Sequence, residues 1–149
     1  MYLRFSKIRD VKSPRRAHPT DAGIDFYVPN DFEQMVLCSN ESILIPSGIK
    51  VEVPFGYAAI FMNKSGFASR NEILVGAQVI DTYYSGEVHI DLHNVGKTNI
   101  LINPGDKVIQ LIMFPIAQCG VMEVSEDKLY KDFEIEYRGS NGFGSTNKR

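Results

Sequence analysis

The side chains best suited to chemistry occur in short segments that also contain glycine. One segment, "MNKSGFASR", follows an apolar stretch and carries Lys64, Ser65 and Gly66. Backbone amides at the start of a helix bind anions, and a glycine lets a phosphate approach the chain closely. A lysine ammonium group and a serine hydroxyl beside them favour a phosphate site. A serine that simply caps a helix is the competing interpretation.

A second segment, "GAQVIDTYYSGEV", places Asp81 close to Tyr84 on a predicted hairpin between the strands "LVGAQVI" and "EVHIDL". A carboxylate beside an aromatic ring on a tight turn can hold a small polar ring between backbone and side chain. The competing interpretation is a hairpin built from residues that favour turns.

Two further polar residues interrupt predicted strands. Asp25 in "TDAGIDF" lies on the polar side of an alternating pattern, which also fits a solvated strand start. Gln110 in "PGDKVIQLI" lies within an otherwise apolar run. A buried amide needs a hydrogen-bond partner, which could be the backbone.

The chain ends on "RGSNGFGSTNKR", a polar, glycine-rich stretch with a single aromatic residue, Phe143. Such a segment cannot bury enough apolar surface to fold alone. We therefore expect residues 138–149 to form an arm and residues 1–137 to form one β domain.

Period-two patterns predict the elements that hold these segments. "GIKVEVPFG" and "EVHIDLHN" alternate apolar with polar residues, and Val88, Ile90 and Leu92 should face inward. "YAAIFM" and "VIQLIMF" are short continuous apolar runs. Proline and glycine predict turns at residues 46–48 and 103–106, and a short helix fits only around "GFASRNEIL". Strands at this spacing predict an all-β sandwich or barrel.

Composition excludes several function classes. The 149 residues carry a net charge of −2, which does not favour broad attraction to nucleic acid or membranes. No apolar window has signal-peptide or transmembrane length, so we expect a cytoplasmic protein, in the host cytoplasm if the source is viral. Cys38 and Cys119 fit free thiols in a reducing compartment, with a disulfide as the alternative. His89 and Asp91 share the outward face of a strand and are expected to face solvent or a channel.

Taken in order, five segments resemble the five motifs of the trimeric dUTPase (deoxyuridine triphosphatase) family. These segments are "DAGIDF", "NKSGFA", "QVIDTYYSGEV", "GDKVIQLI" and "RGSNGFGST". They run from residue 21 to residue 146, so the resemblance covers nearly the whole chain. Five ordered motifs are far more specific than any one of them.

The resemblance implies a jelly-roll-like fold that assembles as a homotrimer with active sites shared between subunits. It also implies hydrolysis of dUTP to dUMP and pyrophosphate with Mg²⁺ as cofactor, which lowers dUTP and supplies dUMP for thymidylate synthesis. Such a reaction needs an oriented water, a neutralised triphosphate and a base.

A role for each matched residue also follows from the resemblance. Asp81 would be the general base, and Asp25 would reach Mg²⁺ through water. Tyr84 would pack against the deoxyribose and exclude a 2′-hydroxyl, while the backbone at Val79 and Ile80 would read the uracil. The residues of the β domain that would bind the phosphates are Lys64, Ser65, Gly66 and Gln110.

The arm would close over the nucleotide of a neighbouring site. Phe143 would stack on the uracil, and Arg138 would pair with the γ-phosphate through its planar guanidinium group. The hydroxyls of Ser145 and Thr146 and the amide of Gly144 would surround the same phosphate.

Five positions depart from the motifs. Asn63 and Lys64 stand where proline and arginine are usual, and lysine lacks the fork for a bidentate phosphate contact. Gln78 replaces a usual glycine and would either crowd the uracil pocket or point away from it. Asn141 and Asn147 replace glycines of the arm, and asparagine tolerates positive φ.

Two other functions are open on the same fold. A dCTP deaminase would need a carboxylate that activates water at the base ring. A non-catalytic deoxynucleotide sensor is favoured by the departures at Lys64 and Gln78.

Overall fold

Ten β-strands and one α-helix form within residues 2–130, the part of the chain that this computed structural model describes. All the strand pairs are antiparallel, as the predicted all-β fold requires. The first sheet has the order β1 (Arg4–Lys7), β4 (Ser42–Glu52), β8 (Glu87–Asn94) and β6 (Ile73–Val75). The second has the order β2 (Ile24–Tyr27), β10 (Lys107–Pro115), β5 (Tyr57–Asn63) and β7 (Val79–Ile80). A third sheet pairs β3 (Met35–Leu37) with β9 (Ile100–Ile102).

The chain divides into two units. Met1–Gln118 contains all the described strands, and Cys119–Arg149 is the second unit. The described part of the second unit contains a 3-10 helix at Glu126–Lys128. The predicted start of the arm at residue 138 lies outside the described residues and stays a prediction.

Both four-stranded sheets contribute side chains to one hydrophobic core. Along β8 the burial alternates from residue to residue, and Val88, Ile90 and Leu92 face inward as predicted. From the second sheet, Phe26 and Phe61 meet edge to face with ring centroids 5.0 Å apart. Full burial of each such side chain contributes about 1.5–3 kcal/mol to the free energy of folding.

One of the two predicted turns is wrong. Strand β4 continues through residues 46–48, with a register shift against β8 between Pro46 and Lys50. Gly48 has φ 75° and donates its N–H to Glu87 Oε1 at 2.6 Å. The positive φ therefore forms a bulge in a continuous strand instead of reversing the chain. The other turn, at residues 103–106, is confirmed by a hydrogen bond from the N–H of the last residue to the carbonyl of the first, at 3.2 Å.

The predicted strand "LVGAQVI" is divided between two sheets. Ala77, at φ 41°, interrupts the extended chain. The segment before it forms β6 and pairs with β8, whereas the segment after it forms β7 and pairs with β5, Ile80 opposite Ala59. Residues 81–86 therefore connect two sheets. The predicted antiparallel pairing of the two segments is present between β6 and β8, but the short hairpin connection predicted between them is wrong.

The predicted short helix is present as α1 (Ser65–Asn71). It ends at Glu72, which has φ 50° and donates its N–H to Ala68 O. A left-handed residue at this position terminates a helix, and the chain then enters β6. No helix among residues 2–130 has the length and apolar character needed to cross a membrane.

Candidate active site

A cavity of about 290 Å³ lies where β7 ends, and we call it the β7 pocket. Four predicted site residues border it: Val79, Ile80, Asp81 and Tyr84. Its remaining lining residues are Leu44, Phe61, Ala77, Glu87, Val88 and His89. The pocket therefore has an apolar wall and a few polar groups, the usual composition of a small-molecule site.

Asp81 is the first residue after β7, and its side chain is exposed at the edge of the pocket. Its backbone carbonyl accepts the N–H of Tyr84 at 3.3 Å, which folds the loop into a turn. Thr82 Oγ1 donates to Tyr57 O at 2.9 Å and attaches the same loop to β5. Within the described part of the chain, no group bonds the carboxylate of Asp81. Both oxygens are available to a ligand or a water molecule.

The ring of Tyr84 is fixed beside Asp81. Its hydroxyl donates to Glu87 O at 2.9 Å. A Cβ added at Gly86 would come within 2.4 Å of that hydroxyl, so only glycine leaves room for the ring. The sequence "YSG" therefore determines where the aromatic wall of the pocket stands.

The side chain of Gln78 was expected either to crowd the uracil pocket or to point away from it. Its side-chain amide folds back and donates to Val75 O at 2.8 Å. Its own carbonyl accepts the N–H of Phe61 at 2.8 Å, which extends the pairing of β5 with the chain before β7. Gln78 points away from the pocket and does not crowd it.

A second cluster forms around Asp25, where β2 lies beside β10. Asp25 is 3% exposed, so the alternative interpretation of a solvated strand start is wrong. Lys64 Nζ contacts Oδ1 at 2.8 Å, and Lys107 Nζ contacts Oδ2 at 2.9 Å. Burial raises the pKa of Asp25, but the hydrogen bonds and charges of the two lysines outweigh it and the pKa lies below its ordinary value. Asp25 is thus a buried carboxylate (−1) with two ammonium partners (+2), a cluster with net charge +1.

The two lysines border a groove of about 450 Å³, which we call the basic groove. Its other lining residues are Gly66, Phe67, Arg70 and Asp106. Sequence reasoning found Lys64 and Gly66 but missed Lys107 and Arg70. Arg70 follows Gly66 by one helical turn, and its Nη1 would lie 3.4 Å from a Cβ added there. The i, i+4 spacing was the available signal for Arg70, whereas Lys107 is recognised only from the pairing of β10 with β2.

Ser65 and Gly66 occupy the first turn of α1, and both are exposed. The N-cap is Lys64, which makes no side-chain cap hydrogen bond, so Ser65 is not the helix cap. The carbonyl of Lys64 accepts the N–H groups of Phe67 and Ala68 at 3.0 and 2.8 Å. Among the described backbone groups, none accepts the amides of Ser65 or Gly66, as expected for the first residues of a helix.

Gln110 lies between the two strands that hold the basic cluster. In the register of β10 it is opposite Asp25 on one side and Met62 on the other. Its amide donates to Asn63 O at 2.9 Å, so its partner is backbone, as one of the two interpretations predicted. The side chain of Asn63 in turn accepts the N–H of Val75 at 3.0 Å. Asn63 therefore connects the end of β5 to β6, a bond that a proline side chain could not make.

Asp81 and the basic cluster lie near opposite ends of β5. Ile80 pairs with Ala59, which places Asp81 level with Ala58, whereas Lys64 follows the last residue of β5. Six residues of extended strand separate these levels, a distance of about 20 Å. One chain therefore does not bring the two predicted halves of the site together.

The remaining predicted site residues belong to the arm. They are Arg138, Phe143, Gly144, Ser145 and Thr146, and they lie outside the described residues. Within residues 2–130 there is no group of three or more His, Cys, Asp or Glu side chains that could hold a metal ion. Cys38 and Cys119 are free thiols, as expected.

His89 and Asp91, which share the outward face of β8, do not contact each other. Asp91 Oδ1 instead contacts His93 Nε2 at 3.2 Å. His89 borders the β7 pocket, and its Nδ1 lies 3.0 Å from Glu87 O. His89 lies on the outward face as expected, and whether that face borders a channel between subunits stays a prediction.

Comparison with known proteins shows which sequences and structures this chain resembles. The family model described as dUTPase matches residues 9–147. A deoxyuridine 5′-triphosphate nucleotidohydrolase from Paraburkholderia phytofirmans is 34% identical over 146 residues, which cover 96% of this chain and 93% of that protein. A protein of the same name from Debaryomyces hansenii is 32% identical, with coverage of 97% and 86%.

Solved structures agree with the sequence comparison. The dUTPase of Staphylococcus bacteriophage 80alpha with dUPNHPP is 25% identical, with a TM-score of 0.78 and coverage of 97% of both chains. A mutant dUTPase from phage phi11 of S. aureus, studied for the coordination of a structural Mg(II) ion, is 25% identical. Its TM-score is 0.76, with coverage of 91% of this chain and 100% of that chain. The predicted dUTPase fold is confirmed.

Proposed function

The chain belongs to the dUTPase family, and we propose that it hydrolyses dUTP to dUMP and pyrophosphate with Asp81 as the general base. It is a dUTP diphosphatase by its family and its relatives. The observation that supports the role of Asp81 is its exposed carboxylate at the β7 pocket, which no described group bonds. An ionised carboxylate of this kind accepts a proton from a water that attacks the phosphate chain.

The β7 pocket suits a uracil deoxynucleoside. Tyr84 is held by Glu87 O and packs over Gly86, so its ring is a rigid wall for the deoxyribose and leaves no space for a 2′-hydroxyl. The backbone at Val79 and Ile80 reads the uracil edge and excludes a 5-methyl group. Rigid pocket walls can discriminate between nucleosides, because close-packed protein side chains move little to accommodate an extra hydroxyl or methyl group.

The basic groove suits the triphosphate. Lys64 and Lys107 have side-chain exposures of 27% and 37%, so each ammonium group can meet a phosphate while it contacts Asp25. Asp25 holds the two cations side by side and offsets their mutual repulsion. Ser65, Gly66 and Gln110 complete the phosphate network. Charge neutralisation of this kind is the main contribution of a protein to phosphoryl transfer.

The residues present are compatible with Mg²⁺ that is bound largely by substrate. Mg²⁺ keeps several waters and commonly uses one or two carboxylates together with substrate phosphates, so a cage of protein ligands is not needed. Asp25 would hold the ion through water, and the ion would supply further neutralisation of the triphosphate when bound. Each carboxylate oxygen of Asp25 accepts one lysine contact, so each oxygen keeps a lone pair that can accept a hydrogen bond from water.

A complete site requires more than one chain. Asp81 and Lys64 of one chain lie at levels of β5 that are about 20 Å apart, whereas the sugar and the α-phosphate of a nucleotide are directly bonded neighbours. We therefore propose a homotrimer in which one subunit supplies Asp81 and Tyr84 and another supplies Lys64 and Ser65. In the same proposal, a neighbouring arm brings Phe143 onto the uracil.

Pyrophosphate release tests the activity directly. Incubated with Mg²⁺ and each deoxynucleoside triphosphate in turn, the protein should release pyrophosphate from dUTP and far less from dTTP, dCTP or UTP. Ammonia release from dCTP at an enzymatic rate would indicate a deaminase instead. Tight dUTP binding without pyrophosphate release would indicate a sensor.

A further inference from the structure

His89 is a polar residue of the β7 pocket that the proposed reaction does not yet use. It lies on the outward face of β8, two residues after Glu87, and borders the cavity together with Asp81 and Tyr84. Its ring is half-buried. The imidazole therefore has one side in the protein and one side toward the space that a nucleoside would occupy.

The hydrogen bonds of the pocket determine the tautomer of His89. Its Nδ1 lies 3.0 Å from Glu87 O, and a carbonyl oxygen can only accept, so Nδ1 carries the proton. In the neutral ring Nε2 is then an acceptor. The same carbonyl accepts the hydroxyl of Tyr84 at 2.9 Å, so both rings are fixed by a single atom.

The acceptor at Nε2 has no partner among the described residues. Tyr84 donates to Glu87 O, and the carboxylate of Glu87 accepts the N–H of Gly48 at 2.6 Å. Asp81 and His89 thus each present an acceptor that a ligand can use, beside the second carboxylate oxygen of Glu87. A uracil deoxynucleoside has two hydrogen-bond donors, the N3–H of the base and the 3′-hydroxyl of the sugar.

We propose that His89 is a binding and specificity residue that accepts, through Nε2, a hydrogen bond from one of these two nucleoside donors. The inference rests on the proposed function, because it takes the β7 pocket as the nucleoside site. Asp81 accepts from the other donor or from the attacking water. The fixed tautomer makes the site selective, since a nucleoside that presents an acceptor to Nε2 leaves two lone pairs opposed.

Three substitutions test the proposal. His89→Phe keeps a ring but removes the acceptor, and His89→Met removes it with a flexible side chain. His89→Gln returns a carbonyl oxygen near the position of Nε2. We expect Phe and Met to raise the KM for dUTP roughly 3- to 10-fold with kcat within about twofold, and Gln to recover most of the loss. The matched control is His93→Phe, on the same strand and face but outside the pocket, which should leave KM unchanged.

A second substrate identifies the donor. If the loss in His89→Phe persists with 2′,3′-dideoxy-UTP, the donor is N3–H, and if it disappears, the donor is the 3′-hydroxyl. A KM within twofold of the parent in both folded Phe and Met variants, or an equal loss in His93→Phe, would overturn the proposal. The proposed function fails separately, because it requires dUTP hydrolysis by the parent protein, whatever the properties of the His89 variants.

Discussion

Asp81 is the residue on which the proposed chemistry depends most. Asp81→Asn keeps the shape of the side chain and one acceptor oxygen, but an amide does not take a proton from water. We expect dUTP to bind with little change and kcat to fall by at least roughly 10²–10⁴-fold. Calorimetry for binding and pyrophosphate release for turnover measure the two effects separately. The surface variant Asp31→Asn is the control, and turnover within a few-fold of the parent in Asp81→Asn would place the base elsewhere.

Asp25 couples stability to pH through its two lysines. Its folded-state pKa is lower than its ordinary value, so its contribution is full above the unfolded pKa of about 4 and is lost as the pH falls through the folded pKa. We expect Asp25→Asn to lower the free energy of unfolding by about 1–3 kcal/mol at pH 7, with a smaller difference at pH 3. Urea unfolding at both pH values measures this. Asp31→Asn, which removes an exposed pair with Arg9, should change little, and a pH-independent difference for Asp25→Asn would contradict the assignment.

Gly86 permits the position of the Tyr84 ring. In Gly86→Ala the new methyl group would lie 2.4 Å from the tyrosine hydroxyl, so the ring must leave Glu87 O. We expect kcat/KM for dUTP to fall about tenfold, the loss expected for one good hydrogen bond, and the activity on UTP relative to dUTP to rise. Gly120→Ala is the matched control, because an added Cβ there meets nothing within 4 Å. Unchanged selectivity in folded Gly86→Ala would assign sugar discrimination to another group.

At the residue scale, the sequence predicted single side chains better than their partners. Asp81, Tyr84 and Gln110 lie at strand ends and interruptions that alternation makes visible. Lys107 was missed, and His89 was not assigned to the site, because their neighbours come from strands that are distant in sequence. A pattern within one segment contains no information about which residue lies opposite it.

At the scale of elements, alternation located strands such as β8, whereas local backbone geometry decided where strands divide and how they connect. "EVHIDLHN" is strand β8 with the predicted residues buried. The proline and glycine at residues 46–48 indicated a turn. The positive φ of Gly48 instead forms a bulge, because β1 and β8 still pair with β4 on either side of it. The sequence does not indicate that the chain leaves one sheet for the other at Ala77. A non-glycine residue at positive φ is uncommon, so an alanine is not read as a break in a strand.

The arm is the element whose role is most easily separated from folding. Deletion of residues 138–149 should leave thermal unfolding and subunit assembly nearly unchanged, since the segment has little apolar surface. Catalysis should fall by orders of magnitude, because each charge-assisted hydrogen bond to phosphate contributes about 1.5–3 kcal/mol. Phe143→Ala should lower kcat/KM in the same direction but less, since it removes stacking only. If the truncated protein had kcat and KM values near those of the parent, residues 138–149 would have no role in catalysis.

For the whole molecule, the separation of the two clusters predicts complementation between subunits. Light scattering should report a trimer of the 16.8 kDa chain. Asp81→Asn and Lys64→Ala should each be nearly inactive alone, but co-expressed chains should recover part of the activity, because mixed trimers contain sites with both residues intact. Co-expression of Asp81→Asn with Asp81→Glu is a control that should not recover activity beyond that of the Glu variant. A monomer, or no recovery in verified mixed trimers, would refute the shared site.

Strand β5 also affects how the protein tolerates insertions. Strand β7, which leads to Asp81, pairs with the first half of β5, and Lys64 follows its last residue. A single residue inserted in β5 therefore changes the spacing between the half-site of Asp81 and the half-site of Lys64. In the proposed trimer those halves belong to two different catalytic centres, and a genetic lesion in one chain would therefore impair both at once. A cell or virus that carries one normal and one such damaged copy would lose more than half of its dUTP hydrolysis. Length changes in this strand would then behave as dominant mutations, whereas most losses of a single side chain would be recessive.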